Sequence, residues 1–332
     1  MYSKFFIIKE LNKKDWDNYY KEIYFNNLHQ TWEYGEAKCR KFFCKPYRFI
    51  IKSKDNKPIA LIQIIIYKIF IFPLIARVNK GPIFFQSAKD LIRNPKLNDD
   101  MLHLIELKLK EIGCLVIFLI PDFLFDKSHL KEFINNGYKL RKTEASSSSL
   151  VSLNIDQKEL MMSFKPKWRN MLRKALKSDL KIKCFNGDKK YVDLLLKKYS
   201  ELKKRNKFKG VNLNFIQSLA IQNNVNWKFK IFICYKHIDS SVQDELVGIL
   251  VSIVHFNCAT YFIGYTNQLG RKYNANYLML WHSMIEAKKN KCIFYDMGGF
   301  NRNTPPGIIH FKKGVNGNFY ENLPDLYKFL IF

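Results

Sequence analysis

Apolar side chains recur along this chain with two different periods, and the period changes several times. Segments with apolar and aromatic residues three to four positions apart predict helices, and short runs of β-branched residues predict strands. In the first half the predicted elements are helices Asp15–Asn26 and Thr31–Phe43, strands Tyr47–Ser53 and Ile59–Phe70, helix Met101–Ile112 and strand Cys114–Ile120. Turn-forming residues separate them: Asp55–Pro58 lies between the first two strands, and Gly113 ends the third helix.

The second half repeats the same order of elements. Its predicted elements are strands Leu246–His255 and Thr260–Tyr265, helix Asn276–Lys289 and the short buried strand Cys292–Asp296. The order strand, strand, long helix, buried strand therefore occurs twice, which indicates two copies of one α/β unit. The polar, serine-rich stretch Thr143–Ser149 lies between the copies and is typical of a boundary.

The most hydrophobic stretch, Ile59 to Val78, is broken by Lys68 and Pro73 and is rich in β-branched residues. That composition predicts paired strands rather than a membrane helix. The N-terminal segment Met1–Lys14 lacks the apolar core of a signal peptide. We therefore expect a soluble, cytoplasmic protein.

The charge of the chain is strongly unbalanced. Of its 332 residues, 47% are hydrophobic, and 56 Lys and Arg face 29 Asp and Glu, a formal net charge of +27. Such an excess attracts nucleic acid, a diphosphate-bearing substrate or an anionic membrane face. An AT-rich genome would also enrich lysine, although codon bias alone would not deplete the acidic residues.

The seven cysteines are scattered and include no C-x-x-C pair, which indicates reduced thiols and neither a zinc site nor a disulfide framework. Signatures of a serine hydrolase, a P-loop, a zinc protease and a dinucleotide-binding fold are absent. The seven histidines are isolated from Cys or carboxylate partners at useful spacing; His103 and His282 lie within helical patterns. We expect no metal.

One candidate segment for function is Lys165–Lys177, which begins with a proline near a predicted helix start. The residues of this segment that are predicted to contact nucleic acid are Lys167, Trp168, Arg169, Arg173 and Lys174. Two interpretations stay open: a solvated basic face, or phosphate contacts assisted by stacking of Trp168 on a base or sugar.

Two further candidate segments are rich in glycine. Phe294–Asn301 ends a strand with Asp296-Met297-Gly298-Gly299, which predicts a sharp turn with close backbone approach. In Gly307–Gly317, two glycine turns bracket Phe311, Lys312 and Lys313. Each segment could be a structural turn, but their close succession favours a site.

Together these segments resemble the Fem family (FemABX peptidyltransferases), in the right order and over about residues 28 to 320. The family's opening pattern is matched by Gln30, Trp32, Gly35 and Lys38. Its basic helix is matched by Lys167, Arg169, Asn170, Arg173, Lys174 and Ala175. Its more specific ending is matched by Tyr295, Asp296, Gly298, Gly299, Gly307, Ile308, Phe311 and Lys312.

The resemblance implies an α/β fold of two acetyltransferase-like (GNAT) lobes, each a mixed twisted sheet flanked by helices. We expect residues 1–147 to form the first lobe, with 316–332 returning to it, and residues 148–315 to form the second. The family's long coiled-coil arm is not evident, because no charged heptad insert occurs in the second half.

The resemblance also implies roles for single residues. Lys38 matches a lysine that holds a substrate diphosphate, Arg205 matches a second diphosphate contact, and Lys312 matches the catalytic lysine near the acyl ester. Trp32, Asp296 and Phe311 are the other residues predicted to bind substrate. The family often has Asp-Pro after the first buried strand, but here the order is Pro121-Asp122, so a base role for Asp122 is not supported.

The implied reaction is attack of an amine on the ester of an aminoacyl-tRNA, and we expect no cofactor besides that donor substrate. The acceptor would be an amino group of a diphosphate-bearing cell-envelope precursor, such as a peptidoglycan peptide or a lipid-linked amino sugar. Peripheral contact with the anionic inner membrane face is a further expectation. No general base is identifiable.

Two alternatives remain. The first is an acyl-CoA N-acyltransferase, but Asn274 and Asn276 stand where its pyrophosphate-binding turn would need Gly and Gly or Ala. The second is a non-enzymatic RNA- or membrane-surface protein that retains the fold. The joint presence of Lys38, Asp296 and Lys312 argues against that alternative.

Overall fold

The structure is a computed structural model, and it describes residues 6–70, 72–88, 94–122, 125–143, 145, 147–237 and 244–330. The chain divides into two compact units: Met1–Ser147 with Tyr320–Phe332, here the first lobe, and Ser148–Phe319, the second lobe. The sequence predicted a boundary between the lobes at residues 147 and 148, and a returning segment that begins at residue 316.

The first lobe is built on a mixed sheet. Its strands are β1 (Phe6–Glu10), β2 (Cys44–Ser53), β3 (Pro58–Ile69), β4 (Phe72–Asn79), β5 (Ile83–Phe84), β6 (Val116–Ile120), β7 (Lys139–Leu140) and β15 (Leu326–Phe329). Its helices are α1 (Lys13–Tyr20), α2 (Trp32–Cys39), α3 (Pro95–Ile112) and α4 (Leu130–Asn135), with short 3-10 turns at Leu28–Gln30 and Lys127–His129.

The second lobe also has a mixed sheet. Its strands are β8 (Ser147–Ser152), β9 (Leu180–Asn186), β10 (Trp227–Lys236), β11 (Glu245–His255), β12 (Cys258–Thr266), β13 (Phe294–Asp296) and β14 (Asn318–Glu321). Its helices are α5 (Gln157–Ser163), α6 (Pro166–Leu176), α7 (Lys189–Asn206), α8 (Leu213–Ala220), α9 (Gln268–Lys272), α10 (Ala275–Lys289) and α11 (Pro306–Lys313).

The two sheets have equivalent strand orders except at one position, which holds the last strand of the chain (β15) in the first lobe and the first strand of the second lobe (β8) in the second. The order is β1-β2-β3-β4-β6-β15-β7 in the first lobe and β9-β10-β11-β12-β13-β8-β14 in the second. In each lobe a three-stranded antiparallel meander is followed by a long helix and by a strand that pairs parallel with the last meander strand. That parallel strand then pairs antiparallel with β15 in one lobe and with β8 in the other. The expectation of two α/β units with mixed sheets is confirmed.

Each lobe has its own hydrophobic core. The first is centred on apolar residues of β2, β3, β6 and α3, and the second on those of β11, α6 and α10. The paired strands predicted for Ile59–Val78 are β3 and β4, which form an antiparallel hairpin. Among helices of the described residues, none combines the length and apolar character that crossing a bilayer requires.

Two predicted helices end earlier than the sequence pattern indicated. The first ends at Tyr20 because the side-chain amide of Asn26 donates to the Tyr20 carbonyl (2.8 Å) and turns the chain away from helical geometry. The second ends at Cys39 instead of Phe43, and Cys39 forms a disulfide with Cys44 across the loop that follows. The expectation that all cysteines are reduced thiols is therefore wrong for this pair.

Candidate active site

The glycine turn that follows β13 is fixed by the buried carboxylate of Asp296. Its Oδ1 accepts hydrogen bonds from the Ser148 hydroxyl and from the backbone N–H of Gly298, the latter at 2.9 Å. Gly298 has φ of +66°, and a Cβ there would lie 2.3 Å from the Tyr261 carbonyl oxygen. A side chain at position 298 would therefore be both strained and in collision with backbone, so the predicted close approach of backbone is observed.

Lys312 reaches this turn from α11. The segment predicted as two glycine turns is a helix over most of its length, because Pro306 supplies a helix start and its missing N–H is not needed there. Lys312 is only 6% exposed, and its Nζ donates to the Gly298 and Gly299 carbonyls, each at 3.1 Å. The same ammonium lies 5.1 Å from the centre of the Tyr261 ring. The helix thus fixes a positive charge beside the Gly298–Gly299 backbone.

Phe311 and Trp168 are parts of the second lobe's core. Trp168 is 3% exposed, its indole N–H donates to the Phe311 carbonyl (3.1 Å), and its ring stacks on the Phe311 ring at 6.1 Å between centroids. Stacking of Trp168 on a nucleotide base, as predicted, would require its ring to leave this packing. Truncating a buried tryptophan costs about 3–5 kcal/mol, so its loss would test folding rather than binding. Here Trp168 positions α6 against α11.

The basic residues of α6 fall into two groups. Arg169 donates from Nη1 to the Met162 and Phe164 carbonyls, at 2.6 and 3.0 Å, and so ties α6 to the preceding segment. Lys167, Arg173 and Lys174 are exposed. Of the predicted phosphate contacts, these three are placed to meet a polyanion, whereas Arg169 has a structural role.

A cavity of about 590 Å³ opens between the start of α6 and α11. The two helices are joined there by a hydrogen bond from the Lys165 N–H to the Gly314 carbonyl, 2.9 Å. The cavity is lined by Lys165, Pro166, Lys167, Trp168, Pro306, Ile309, His310, Lys313 and Gly314. Among the described residues, its lining is therefore cationic and apolar and includes no carboxylate. Sequence reasoning had not singled out His310 or placed Lys313 in a cavity, because their approach to Lys167 depends on how two helices pack.

In the first lobe, most of the early helix motif supports structure. The Gln30 amide donates to the Asn79 carbonyl (2.8 Å) and its Oε1 accepts from the Gln63 N–H (2.7 Å). A Cβ on Gly35 would lie 2.3 Å from Oε1 of Gln63. Trp32 lies against the guanidinium of Arg48, 3.5 Å from ring centre to Cζ. These residues seat α2 on the sheet, and the substrate-binding role predicted for Trp32 is not needed to account for its position.

Lys38 is half-buried near the end of α2 and belongs to a small polar cluster. Burial, and then the positive charge of Arg77, lower the pKa of Lys38. Burial raises the pKa values of Tyr34 and Tyr67, and the charge of Arg77 opposes that rise in both. Two cations and two phenols therefore share one region of the first lobe. An anion bound there would raise the pKa of Lys38, because it would offset the repulsion between the cations. Arg77, Tyr34 and Tyr67 were missed by sequence reasoning, since they lie on different elements.

Arg205 and Asp122 are the remaining predicted candidates. Arg205 is exposed in the last turn of α7, where basic side chains favour the helix dipole. Asp122 is buried just after β6, at 3% exposure. Neither placement assigns a chemical role by itself. Within the described ranges, no group of three or more His, Cys, Asp or Glu side chains is placed to hold a metal ion.

Comparisons with known proteins bear on this geometry. Residues 230–328, which include the glycine turn and Lys312, match the family model described as the FemAB family. The crystal structure of FemX matches with a TM-score of 0.77 at 13% identity, covering 97% of this chain and 97% of that one. The family model matches this part of the chain, and the match to FemX shows that the fold is shared over nearly the whole chain. The resemblance drawn from the sequence motifs is thereby confirmed.

Two more solved structures are similar in fold to this FemABX-like chain. A tandem GNAT protein from the clavulanic acid biosynthesis pathway matches with a TM-score of 0.58 at 9% identity, covering 98% of this chain and 99% of that one. L-PGS from Bacillus licheniformis matches with a TM-score of 0.52 at 12% identity, covering 97% and 93%. No curated protein matches the chain. The expectation of two GNAT-like lobes is confirmed, and the FemAB match together with this fold supports an acyltransferase.

Proposed function

We propose that this protein transfers an aminoacyl group from aminoacyl-tRNA to an amino group of a diphosphate-bearing cell-envelope precursor. The FemAB match supports this reaction class, and the structure of the second lobe supports the donor. One observation carries the proposal: α11 places Lys313 in the cationic cavity and its neighbour Lys312 beside the buried Gly298–Gly299 turn. A polyanion in the cavity would therefore contact the same helix that carries Lys312.

The cavity suits the donor because its lining combines cations with apolar surface. Lys165, Lys167 and Lys313 can contact phosphates, and Pro166 and Ile309 offer apolar surface to a sugar or base. The exposed Arg173 and Lys174 extend the positive surface along α6. Binding to such a surface releases counterions, so it should weaken steeply with salt.

The chemistry is aminolysis of an ester. The acceptor nitrogen forms a bond to the acyl carbon, the bond from that carbon to the ribose oxygen breaks, and the proton lost by nitrogen finally resides on the ribose hydroxyl. The tetrahedral intermediate carries a negative oxygen, which a positioned cation stabilises. In this proposal Lys312 supplies that cation. Asp296 holds the turn through Ser148 and the Gly298 N–H, which is a positioning role rather than that of a base.

The acceptor is proposed to bind through its diphosphate at Lys38 in the first lobe, close to Arg77, which is itself ion-paired with Asp325. Because the pKa of Lys38 is lowered, its charged form is held at a cost, which an anionic ligand would relieve. Tyr67 is half-buried in the same region and can donate a hydroxyl hydrogen bond to a phosphate oxygen. Arg205 stays a candidate for a second diphosphate contact.

An acyl-CoA donor is the second candidate, because the turn before α10 has one feature in its favour. Asn274 has φ of +59°, the left-handed conformation that glycine adopts most readily, and it makes no side-chain cap to α10. The start of that helix is thus shaped as in an anion-binding turn, but it carries a side chain. A donor test must therefore include both kinds of donor.

The deciding experiment supplies labelled aminoacyl-tRNA pools and labelled acetyl-CoA in parallel to the protein and an amine-bearing, diphosphate-linked envelope precursor. We expect label to reach the precursor from aminoacyl-tRNA alone. Transfer from acetyl-CoA alone would overturn the proposed donor, and transfer from neither would overturn the proposed reaction.

A charge-reversal variant tests the donor surface in the same assay. Lys167→Glu, Arg173→Glu and Lys174→Glu together should weaken tRNA binding about 10- to 100-fold near 0.1 M salt, and should reduce the salt slope by about 2. The matched control carries Lys189→Glu, Lys190→Glu and Lys197→Glu, which change the net charge equally on exposed positions of α7. Equal losses in both variants would mean that net charge, not the α6 surface, governs binding.

A further inference from the structure

Four phenylalanines are exposed at one end of the first lobe's sheet. Phe42 and Phe43 follow α2 and are 45% and 85% exposed, and Phe70 and Phe72, at the turn of the β3–β4 hairpin, are 90% and 60% exposed. We call these four residues the aromatic tip. Water-exposed rings of this size are unfavourable, and a cluster of them marks a surface that meets another phase or molecule.

The tip is held together by backbone pairing. The Lys68 N–H donates to the Phe43 carbonyl at 2.8 Å, and Cys44 pairs with Tyr67 in the sheet, which sets the 42–43 loop beside the hairpin turn. The disulfide between Cys39 and Cys44 closes that loop at its base. Both pairs of phenylalanines are therefore displayed on anchored loops at the same end of the sheet.

The charges around the tip have one sign. Arg40, Lys41, Lys45 and Lys68 are all exposed. Residues 39–47 and 67–75 contain no aspartate or glutamate. An aromatic cluster with a basic surround complements an interface that is apolar beneath and anionic above, as a bilayer with acidic phospholipids is.

We propose that the aromatic tip inserts into the headgroup region of an anionic lipid bilayer and docks the first lobe there. Phenylalanine rings enter the boundary between headgroups and acyl chains, and the basic side chains remain among the phosphates. By contrast, Val225, at 89% exposure, is flanked in sequence by Asn224 and Asn226. The membrane contact is independent of which acyl donor the protein uses.

The test measures partitioning of the full chain onto vesicles by co-sedimentation. Phosphatidylcholine vesicles with about one-third phosphatidylglycerol should bind the wild type, whereas pure phosphatidylcholine vesicles should bind it more weakly, by about fivefold for each basic side chain that meets the surface. Changing Phe42, Phe43, Phe70 and Phe72 to Ser should lower the partition coefficient on the anionic vesicles about 100-fold or more. These side chains are exposed, so the variant should fold.

A matched control removes exposed apolar surface elsewhere. Ile221→Ser with Val225→Ser changes residues of the second lobe that are 52% and 89% exposed, and should leave partitioning unchanged. A Phe70→Trp variant reports insertion directly, through a blue shift and quenching by brominated lipid. Of the five native tryptophans, Trp16, Trp168, Trp227 and Trp281 are buried and Trp32 is half-buried, so the shift is read against the wild-type protein under the same conditions.

Three outcomes would overturn the proposal. The first is equal partitioning of the wild type and the Phe→Ser variant, and the second is the absence of a fluorescence blue shift when the Phe70→Trp variant meets anionic vesicles. The third is a concentration-dependent dimer in analytical ultracentrifugation that the Phe→Ser changes abolish, with no vesicle binding by the wild type. That last result would assign the aromatic tip to contact between two copies of this chain.

Discussion

The two lobes share a strand order at all positions but one, and they leave their parallel strand by different turns. In the first lobe β6 ends at Ile120 and continues into Pro121-Asp122, whereas in the second lobe β13 ends at Asp296 and continues through Met297 to Gly298-Gly299. Proline fixes φ and removes a donor, while glycine accepts positive φ and close backbone approach. The same sheet edge therefore displays two backbone carbonyls in the second lobe, and α11 brings Lys312 to them.

The cations near each lobe's site are also held differently. In the first lobe Arg77 donates to the Asp325 carboxylate at 2.6 Å, so its charge is partly neutralised by an ion pair. In the second lobe Lys312 donates to the Gly298 and Gly299 carbonyls, and these two bonds orient its ammonium beside the turn. The comparison suggests a division of work: the first lobe binds an anion in the ground state, and the second lobe stabilises charge that develops during reaction.

The largest expected effect tests the second lobe. Lys312→Ala should lower kcat about 100- to 1000-fold, as the loss of one oxyanion-stabilising group does. The cause is the loss of the fixed charge beside Gly298 and Gly299. Steady-state kinetics should be compared with Lys158→Ala, an exposed lysine of α5 in the same lobe. A near-wild-type kcat in the Lys312 variant would remove Lys312 from the chemistry and make it a residue that only holds the turn.

A smaller effect tests the first lobe. Lys38→Ala should raise the acceptor KM about tenfold with less change in kcat, because a lost charge-assisted contact weakens ground-state binding. Burial and Arg77 lower the pKa of Lys38, so the wild type should lose acceptor affinity with rising pH earlier than an ordinary lysine would. The Lys38→Ala variant should not show this loss of acceptor affinity at alkaline pH. Lys54→Ala, an exposed lysine between β2 and β3, is the control. A kcat loss equal to that of the Lys312 variant would break the proposed division.

The third expected effect, on stability rather than on kinetics, concerns the second lobe in acid. His255 is fully buried in the second lobe, and desolvation lowers its pKa from 6.5 to about 3. Between those values the unfolded chain binds a proton that the folded lobe does not, so stability falls as pH falls, by ~1.4 kcal/mol per pH unit for this one group. Thermal unfolding from pH 7 to 4 should therefore show a steeper acid loss in the wild type than in His255→Gln.

The control for the histidine is His103→Gln, at an exposed position of α3 in the first lobe. That change should leave the loss of stability per pH unit in acid the same as in the wild type. If His255→Gln also leaves the slope unchanged, His255 is protonated in the folded lobe, and its burial does not set the acid limit of the second lobe.

The sequence by itself determined most of the elements that carry strong periodicity. The helix ending at Gly113 ends there because Gly113 takes φ of +97°, and α10 and β11 lie within one residue of their predicted limits. The Asp296–Gly299 turn was also readable, since a glycine pair after a strand has few other uses. Two side-chain bonds that close short loops were not readable: the hydrogen bond from Asn26 to Tyr20 and the Cys39–Cys44 bridge lie where two helices end earlier than the hydrophobic pattern predicted.

The tertiary structure alone decided which of the marked residues face solvent and which lie in the core. In the basic helix, Trp168 and Leu172 are buried, whereas Lys167 and Lys174 are exposed, because α6 packs one face against α10 and α11. The density of basic residues in the sequence indicated a polyanionic partner, but it could not show which face of α6 would contact that partner. Contacts between residues distant in the chain, which composition and spacing do not encode, brought Lys312 to a turn of backbone carbonyls and Arg77 to Lys38.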